Sequence, residues 1–150
     1  MFIKALYNSN FLKRFLPAVL LITLCMSFGC RKVKEELELR FLMDAMTNGR
    51  WVVNIYTREG ADETSAFKGY EFQFTSDNKV YAIKSGTEIK GTWSANLTAR
   101  TIESNFPVTT TPLVWLNDNF LVTNNTPKLV EAHPLDEAKN IYLKLVKKAN

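Results

Sequence analysis

The chain has 150 residues, with 19 Lys and Arg against 15 Asp and Glu, one His and two Cys. Lys4, Lys13 and Arg14 precede Cys30 with no acid among them, so the part from Cys30 onward carries 16 cations against 15 acids, a net charge of +1. That balance, with its cations scattered, excludes a dedicated nucleic-acid surface. Cys25 and Cys30 are the two cysteines and no thiol follows them, which excludes a disulfide or a cysteine metal site within residues 31–150.

Residues 1–29 read as a secretory signal. A positive start leads into an apolar run, Phe15 to Met26, broken only by Pro17 and Thr23, and small residues Ser27 and Gly29 follow. A membrane-spanning helix takes about 20 apolar residues, and this run is shorter. Ser27-Phe28-Gly29-Cys30 resembles the lipobox of bacterial lipoproteins; Gly29-Cys30 carries the match, while Ser27 and Phe28 depart from it. The resemblance implies cleavage before Cys30 and acylation of that cysteine, palmitate included. Several acyl chains hold a protein on a membrane stably where one holds weakly. An ordinary cleaved signal followed by a free cysteine is the alternative.

The residues next to the cysteine refine the address. Arg31 stands where Asp would imply inner-membrane retention, so the outer membrane is the expected destination. Lys34-Glu35-Glu36 resembles the Lys-acidic-acidic export tag of Bacteroidota surface lipoproteins; a solvated tether is the other reading, which leaves periplasmic face and cell surface both open. Arg31, Lys32 and Lys34 are placed to touch lipid headgroups.

Next in the chain, Glu35 to Met46 has helical character, with acids at its start suiting the positive end of a helix dipole. Leu37, Phe41, Leu42 and Ala45 form one stripe, widened by Leu39 and Met46. Asn48-Gly49 is the expected stop. The apolar period then changes to two. Trp51, Val53 and Ile55 share a face, and Glu59 to Ser65 reads as a polar loop. Tyr70, Phe72 and Phe74 alternate with polar residues, the clearest strand pattern in the chain.

Ser76-Asp77-Asn78 and Ser85-Gly86-Thr87 read as turns on either side of a strand over Val80 to Lys84. Ile89, Gly91 and Trp93 line one face of the following strand, and Arg100 to Phe106 makes another. Thr111-Pro112 offers an N-cap and a first-turn proline for a short helical turn over Leu113 to Leu116. Phe120 and Val122 open a strand that turns at Asn124-Asn125-Thr126 and pairs with Lys128 to His133. Pro134 to Lys139 loops, and Ile141, Leu143 and Leu145 define the last strand. Eight short strands without crossover helices exclude a parallel sheet. The predicted fold is all-β: an eight-stranded antiparallel up-and-down barrel with a short N-terminal helix, a two-sheet sandwich being the alternative.

Gly49-Arg50-Trp51, after a helix and opening the first strand, resembles the Gly-x-Trp signature of lipocalins, and Gly91-Thr92-Trp93 repeats the spacing. The run Gly69-Tyr70-Glu71-Phe72-Gln73-Phe74, followed by a Gly-Thr-Trp strand, is similar to the lipocalin-like domain of small, mostly uncharacterised lipoproteins of Bacteroidota. That resemblance implies three parts: a lipoprotein signal over 1–29, a tether and helix over 30–48, and a lipocalin-like barrel over 49–148.

Chemistry is not expected. The single imidazole, His133, lies at a strand end, and none of the serines has the context of a nucleophile. The acids around Glu59-Asp62-Glu63 and Asn117-Asp118-Asn119 lack calcium-loop spacing, so no catalytic residue, metal or cofactor is assigned. Aromatics are the remaining lead: Trp51, Tyr70, Phe72, Phe74, Trp93 and Phe120 point to a common interior, either filled or holding one small apolar ligand. The expected function is a lipid-anchored, non-enzymatic envelope lipoprotein that binds such a ligand, or else a solid barrel that acts as a structural or protein-interaction module. Its partners would be the membrane, through Cys30, and that ligand, with no nucleic acid; a protein partner is not identified.

Overall fold

Side chains that alternate between apolar and polar bury their apolar face when extended strands close around it, and from Trp51 onward this chain does so. The computed structural model describes residues 40–149. The signal over 1–29, Cys30 and the tether with its Lys34-Glu35-Glu36 lie outside the described residues.

A helix, α1, occupies 40–47 and ends where expected. The Asn48 amide still donates to the Asp44 carbonyl at 3.1 Å, and Gly49 leaves the helix at a φ of +91° that side chains disfavour. Its buried face differs from the predicted stripe. Met46 is fully buried and Leu42 and Met43 pack against the core, whereas Phe41 is 66% exposed. One residue is about 100° of helical rotation, so a face centred between Leu42 and Met46 carries Phe41 outward.

Nine strands follow: β1 (Trp51–Arg58), β2 (Ala61–Asp62), β3 (Glu71–Phe74), β4 (Lys79–Lys84), β5 (Thr87–Asn96), β6 (Thr101–Asn105), β7 (Asp118–Thr126), β8 (Leu129–Pro134) and β9 (Ile141–Lys147). Two-residue β2 only folds back on the end of β1. The other eight pair antiparallel in chain order, and β9 returns to β1 in register from Trp51↔Lys147 to Arg58↔Ile141. The result is a closed eight-stranded, lipocalin-like up-and-down barrel. Closure decides between the two predicted architectures, because a sandwich would leave β1 and β9 unpaired.

Two bulges shift the alternation. In β1 the register slips between Val53 and Ile55, so the fully buried side chain is Tyr56 instead of Ile55. In β7 a slip between Val122 and Asn124 extends the strand to Thr126, and the turn falls at Pro127-Lys128, two residues beyond the expected one. The helical turn over Leu113–Leu116 is present as a 3-10 turn, yet Pro112 caps it without a side-chain bond, and Thr111 does not. Part of the loop after Glu59 is a second 3-10 turn, Thr64–Phe67.

The up-and-down path sends successive turns to opposite ends. At the lower end, where α1 leads into β1, Trp51 is buried and its Nε1 donates to the Met46 carbonyl at 3.0 Å. Lys147 Nζ stands 5.5 Å from the centre of the Trp51 ring, within cation–π range. Trp93 is held at the same end by Nε1 donating to the Thr75 carbonyl at 2.9 Å. At the upper end the two 3-10 turns fold inward. Tyr56 packs against Phe67 with ring centres 5.0 Å apart and stacks on Trp115 at 5.8 Å. Its hydroxyl donates to the Trp115 carbonyl at 3.2 Å, and the Arg58 guanidinium lies 4.8 Å from the Trp115 ring centre.

Two outcomes test this packing. A Cβ on Gly91 would fall 2.5 Å from the Asn105 carbonyl oxygen and 2.9 Å from the Phe106 ring. Gly91→Ala should therefore destabilise the barrel by about 1–3 kcal/mol in urea unfolding. Burial pushes the Tyr56 hydroxyl up from 10.0 to about 12. Its neutral form stabilises the fold fully below pH about 10, and that contribution is lost as pH rises through about 12. Thermal melts should fall across that window, and Tyr56→Phe should flatten the fall while lowering stability at neutral pH by about 1 kcal/mol.

Candidate functional site

Inward residues of every long strand build the interior. Val80, Ala82, Gly91, Val130, Ala132, Leu143 and Leu145 are small or branched, while Phe72, Phe74, Phe106 and Phe120 fill the volume between them. Phe74 meets Trp93 edge-on at 5.2 Å, and Phe72 meets Phe106 at 6.2 Å. Among the described residues, the interior holds a cavity of about 40 Å³ lined by Phe72, Phe74, Phe106 and Phe120 together with aliphatic side chains, Leu116 among them. Ser104 is the polar side chain in that lining, and its hydroxyl donates to the Leu116 carbonyl at 2.5 Å.

Of the six aromatics expected to face a ligand, the structure brings three to this space. Trp51, Tyr70 and Trp93 lie outside the lining. Trp51 and Trp93 are bound to backbone at the lower end, and Tyr70 stacks on Phe72 at 6.2 Å with Lys84 Nζ 4.4 Å from its ring centre. Strand alternation places a side chain inward; it does not say whether other rings already occupy the centre. Tyr56, Phe67 and Trp115 were not singled out in the sequence, because the first follows a bulge and the others belong to irregular connections. Their clustering is a long-range product of the fold.

Asn117 locks the connection that carries Trp115. Its side-chain oxygen accepts from the Phe106 amide at 2.6 Å and its side-chain nitrogen donates to the Phe106 carbonyl at 2.9 Å, a side-chain imitation of strand pairing. Fully bonded at both atoms, it keeps the upper 3-10 turn seated over the cavity.

The rim beside β8 carries a shallow cleft of about 190 Å³ lined by His133, Pro134, Glu137, Asn140 and Ile141. His133 Nδ1 lies 2.9 Å from the Pro134 carbonyl. A carbonyl only accepts, so Nδ1 carries the proton and a neutral ring would leave Nε2 as its free acceptor. Among the described hydrogen bonds, neither a serine nor a carboxylate reaches this ring. Among the described residues, no three His, Cys, Asp or Glu side chains are grouped to hold a metal.

A cluster of paired charges lies outside the barrel, at the seam between β1 and β3. These strands share one paired position, Trp51↔Phe72. Glu71 spans the seam, accepting from Lys148 and from Arg50, the latter at 2.8 Å. The Lys148 and Arg50 hydrogen bonds hold the Glu71 carboxyl below the usual glutamate range.

No family model matches the chain, and no curated protein matches it. Among solved structures, a DUF4847 family protein from Bacteroides vulgatus ATCC 8482, determined at 1.00 Å resolution, superposes with a TM-score of 0.54. It is 16% identical, and the match covers 73% of this chain and 99% of that one. At that identity the likeness is one of fold, and the barrel described above is the shared element.

Proposed function

We propose that this chain is a lipid-anchored envelope lipoprotein, related to the Bacteroidota family of that neighbour, whose filled barrel is non-enzymatic and acts through its outer surface. The observation that carries this reading is the central cavity of about 40 Å³. One water occupies about 30 Å³ of liquid and ligand sites run to about 300–1,000 Å³, so a small apolar molecule would have to displace core rings. The Tyr56–Phe67–Trp115 cluster closes the upper end through which such a molecule would pass. Support for the anchor comes from the sequence alone: the signal pattern and Gly29-Cys30.

A barrel of this kind serves as a rigid body on a tether. Its surface loops contact a protein or a membrane, and the interior supplies the stability that keeps them in place.

Both halves of the reading are testable. Labelled palmitate should enter the wild-type protein in a bacterial host and not the Cys30→Ala variant; equal labelling of the two would remove the anchor. Native mass spectrometry of protein extracted from its own envelope should give the mass of the acylated chain alone. A stoichiometric small molecule retained on it would overturn the filled barrel. Phe72→Ala should lower stability by about 3–5 kcal/mol and open room for a small aromatic probe, which the wild type should not bind.

A further inference from the structure

The barrel is close to neutral overall but its two ends are not. Because the strands run up and down in chain order, alternate turns gather at each end. At the lower end stand Arg40 on α1, Arg50 before β1, and Lys147 and Lys148 at the end of β9 and just beyond it. Lys79, Arg100 and Lys128 join them from the β3–β4, β5–β6 and β7–β8 turns. Against these seven cations stand three acids, Asp44, Glu71 and Asp77, a net of +4. The upper end is the reverse. Seven acids gather there, three of them (Glu59, Asp62, Glu63) after β1, Glu88 and Asp118 on strand ends, and Asp136 and Glu137 between β8 and β9. Four cations, Arg58, Lys68, Lys84 and Lys139, oppose them, a net of −3.

Two further observations point the positive end somewhere specific. The described chain begins at that end, and Arg40 stands ten positions after Cys30. Ten residues span at most about 36 Å when fully extended, so an acylated Cys30 would keep that end near the bilayer. On the same helix Phe41 is 66% exposed, an aromatic ring left in water at the junction between tether and barrel. Cations that flank an exposed aromatic suit the interface of a bilayer, where the ring enters the headgroup boundary and the cations meet phosphates.

From these we infer that the lower end of the barrel is a docking surface for anionic lipid headgroups, which holds the barrel upright with its acidic end away from the membrane. The inference rests on the anchor proposed above and adds an orientation to it. Arg100 and Lys128 are exposed at the tips of lower turns and form no ion pair among those described, which leaves them available to phosphate. Each cation near an anionic surface strengthens attachment by about fivefold, and added salt screens the effect.

The test uses the acylated protein in vesicles of phosphatidylcholine, and in vesicles where about a third of the lipid is phosphatidylglycerol. A dye is placed through Thr98→Cys in the lower β5–β6 turn, or through Ala138→Cys in the upper β8–β9 connection, and a headgroup-borne quencher reports proximity. The lower dye should be quenched at least about twofold more on the anionic vesicles, the excess vanishing at high salt. The upper dye should show no difference. Arg100→Glu with Lys128→Glu should remove the excess, whereas Glu59→Lys with Glu137→Lys should keep it, with melting curves confirming folded variants. Equal quenching on both vesicles, or an excess that survives the Arg100/Lys128 reversal, overturns the docking surface. Flotation with pure phosphatidylcholine vesicles reads the anchor separately. Protein that floats only with the anionic vesicles lacks the anchor and keeps the surface, and protein that floats with neither overturns both.

Discussion

Everything in this molecule depends on the return of β9 to β1. The ladder from Trp51↔Lys147 to Arg58↔Ile141 joins the first strand to the last across most of the described chain, and it gives every long strand a paired neighbour on each side. Without it, β1 would be held to β3 by the single Trp51↔Phe72 pair and the Glu71 bridge to Arg50 and Lys148. Closure also sets both ends. It brings Lys147 over Trp51 beneath α1, and it holds Tyr56 level with Leu143 so that the tyrosine meets Phe67 and Trp115. A pairing so distant in sequence carries a loop-closure entropy cost, which the burial of the core rings offsets.

The same rings decide what the interior can do. An eight-stranded barrel is wide enough to be filled by side chains or to hold one small ligand, and the choice is made by side-chain volume. Here Phe72 and Phe74 from β3 meet Phe106 after β6 and Phe120 from β7, and small residues such as Ala82, Gly91 and Ala132 let them in. Gly91 is instructive because its missing side chain is what allows the Asn105 backbone and the Phe106 ring to approach β5. A core packed this way stabilises the shell.

On the outside, the path of the chain turns an unremarkable charge content into a polarised body. Cations and acids are interspersed along the sequence, yet Arg100 and Lys128 project from one end and Asp136 and Glu137 from the other, since one turn in two points each way. The positive end is also the end at which the described chain starts. Anchor, aromatic and cations would then act in one direction, the acyl chains supplying attachment and the charges supplying orientation.

The sequence by itself determined the class of the fold, the order and number of its long strands, the helix stop at Gly49, the helical turn over Leu113–Leu116 and the inward face of β3 and β5. Each is a local property, a period of two or a turn residue, and each can be read within a dozen neighbours. The proposed lipoprotein address likewise rests on a linear pattern, in residues before the described barrel. Tertiary structure alone decided closure over a sandwich, the bulges that turned Tyr56 inward and carried β7 past Asn124, the exposure of Phe41, the plug of Phe67 and Trp115, and the shrinking of the interior to about 40 Å³. Those features rest on partners tens of residues apart, on registers that shift by one residue and on volumes that only add up in three dimensions. Local periodicity contains none of that information.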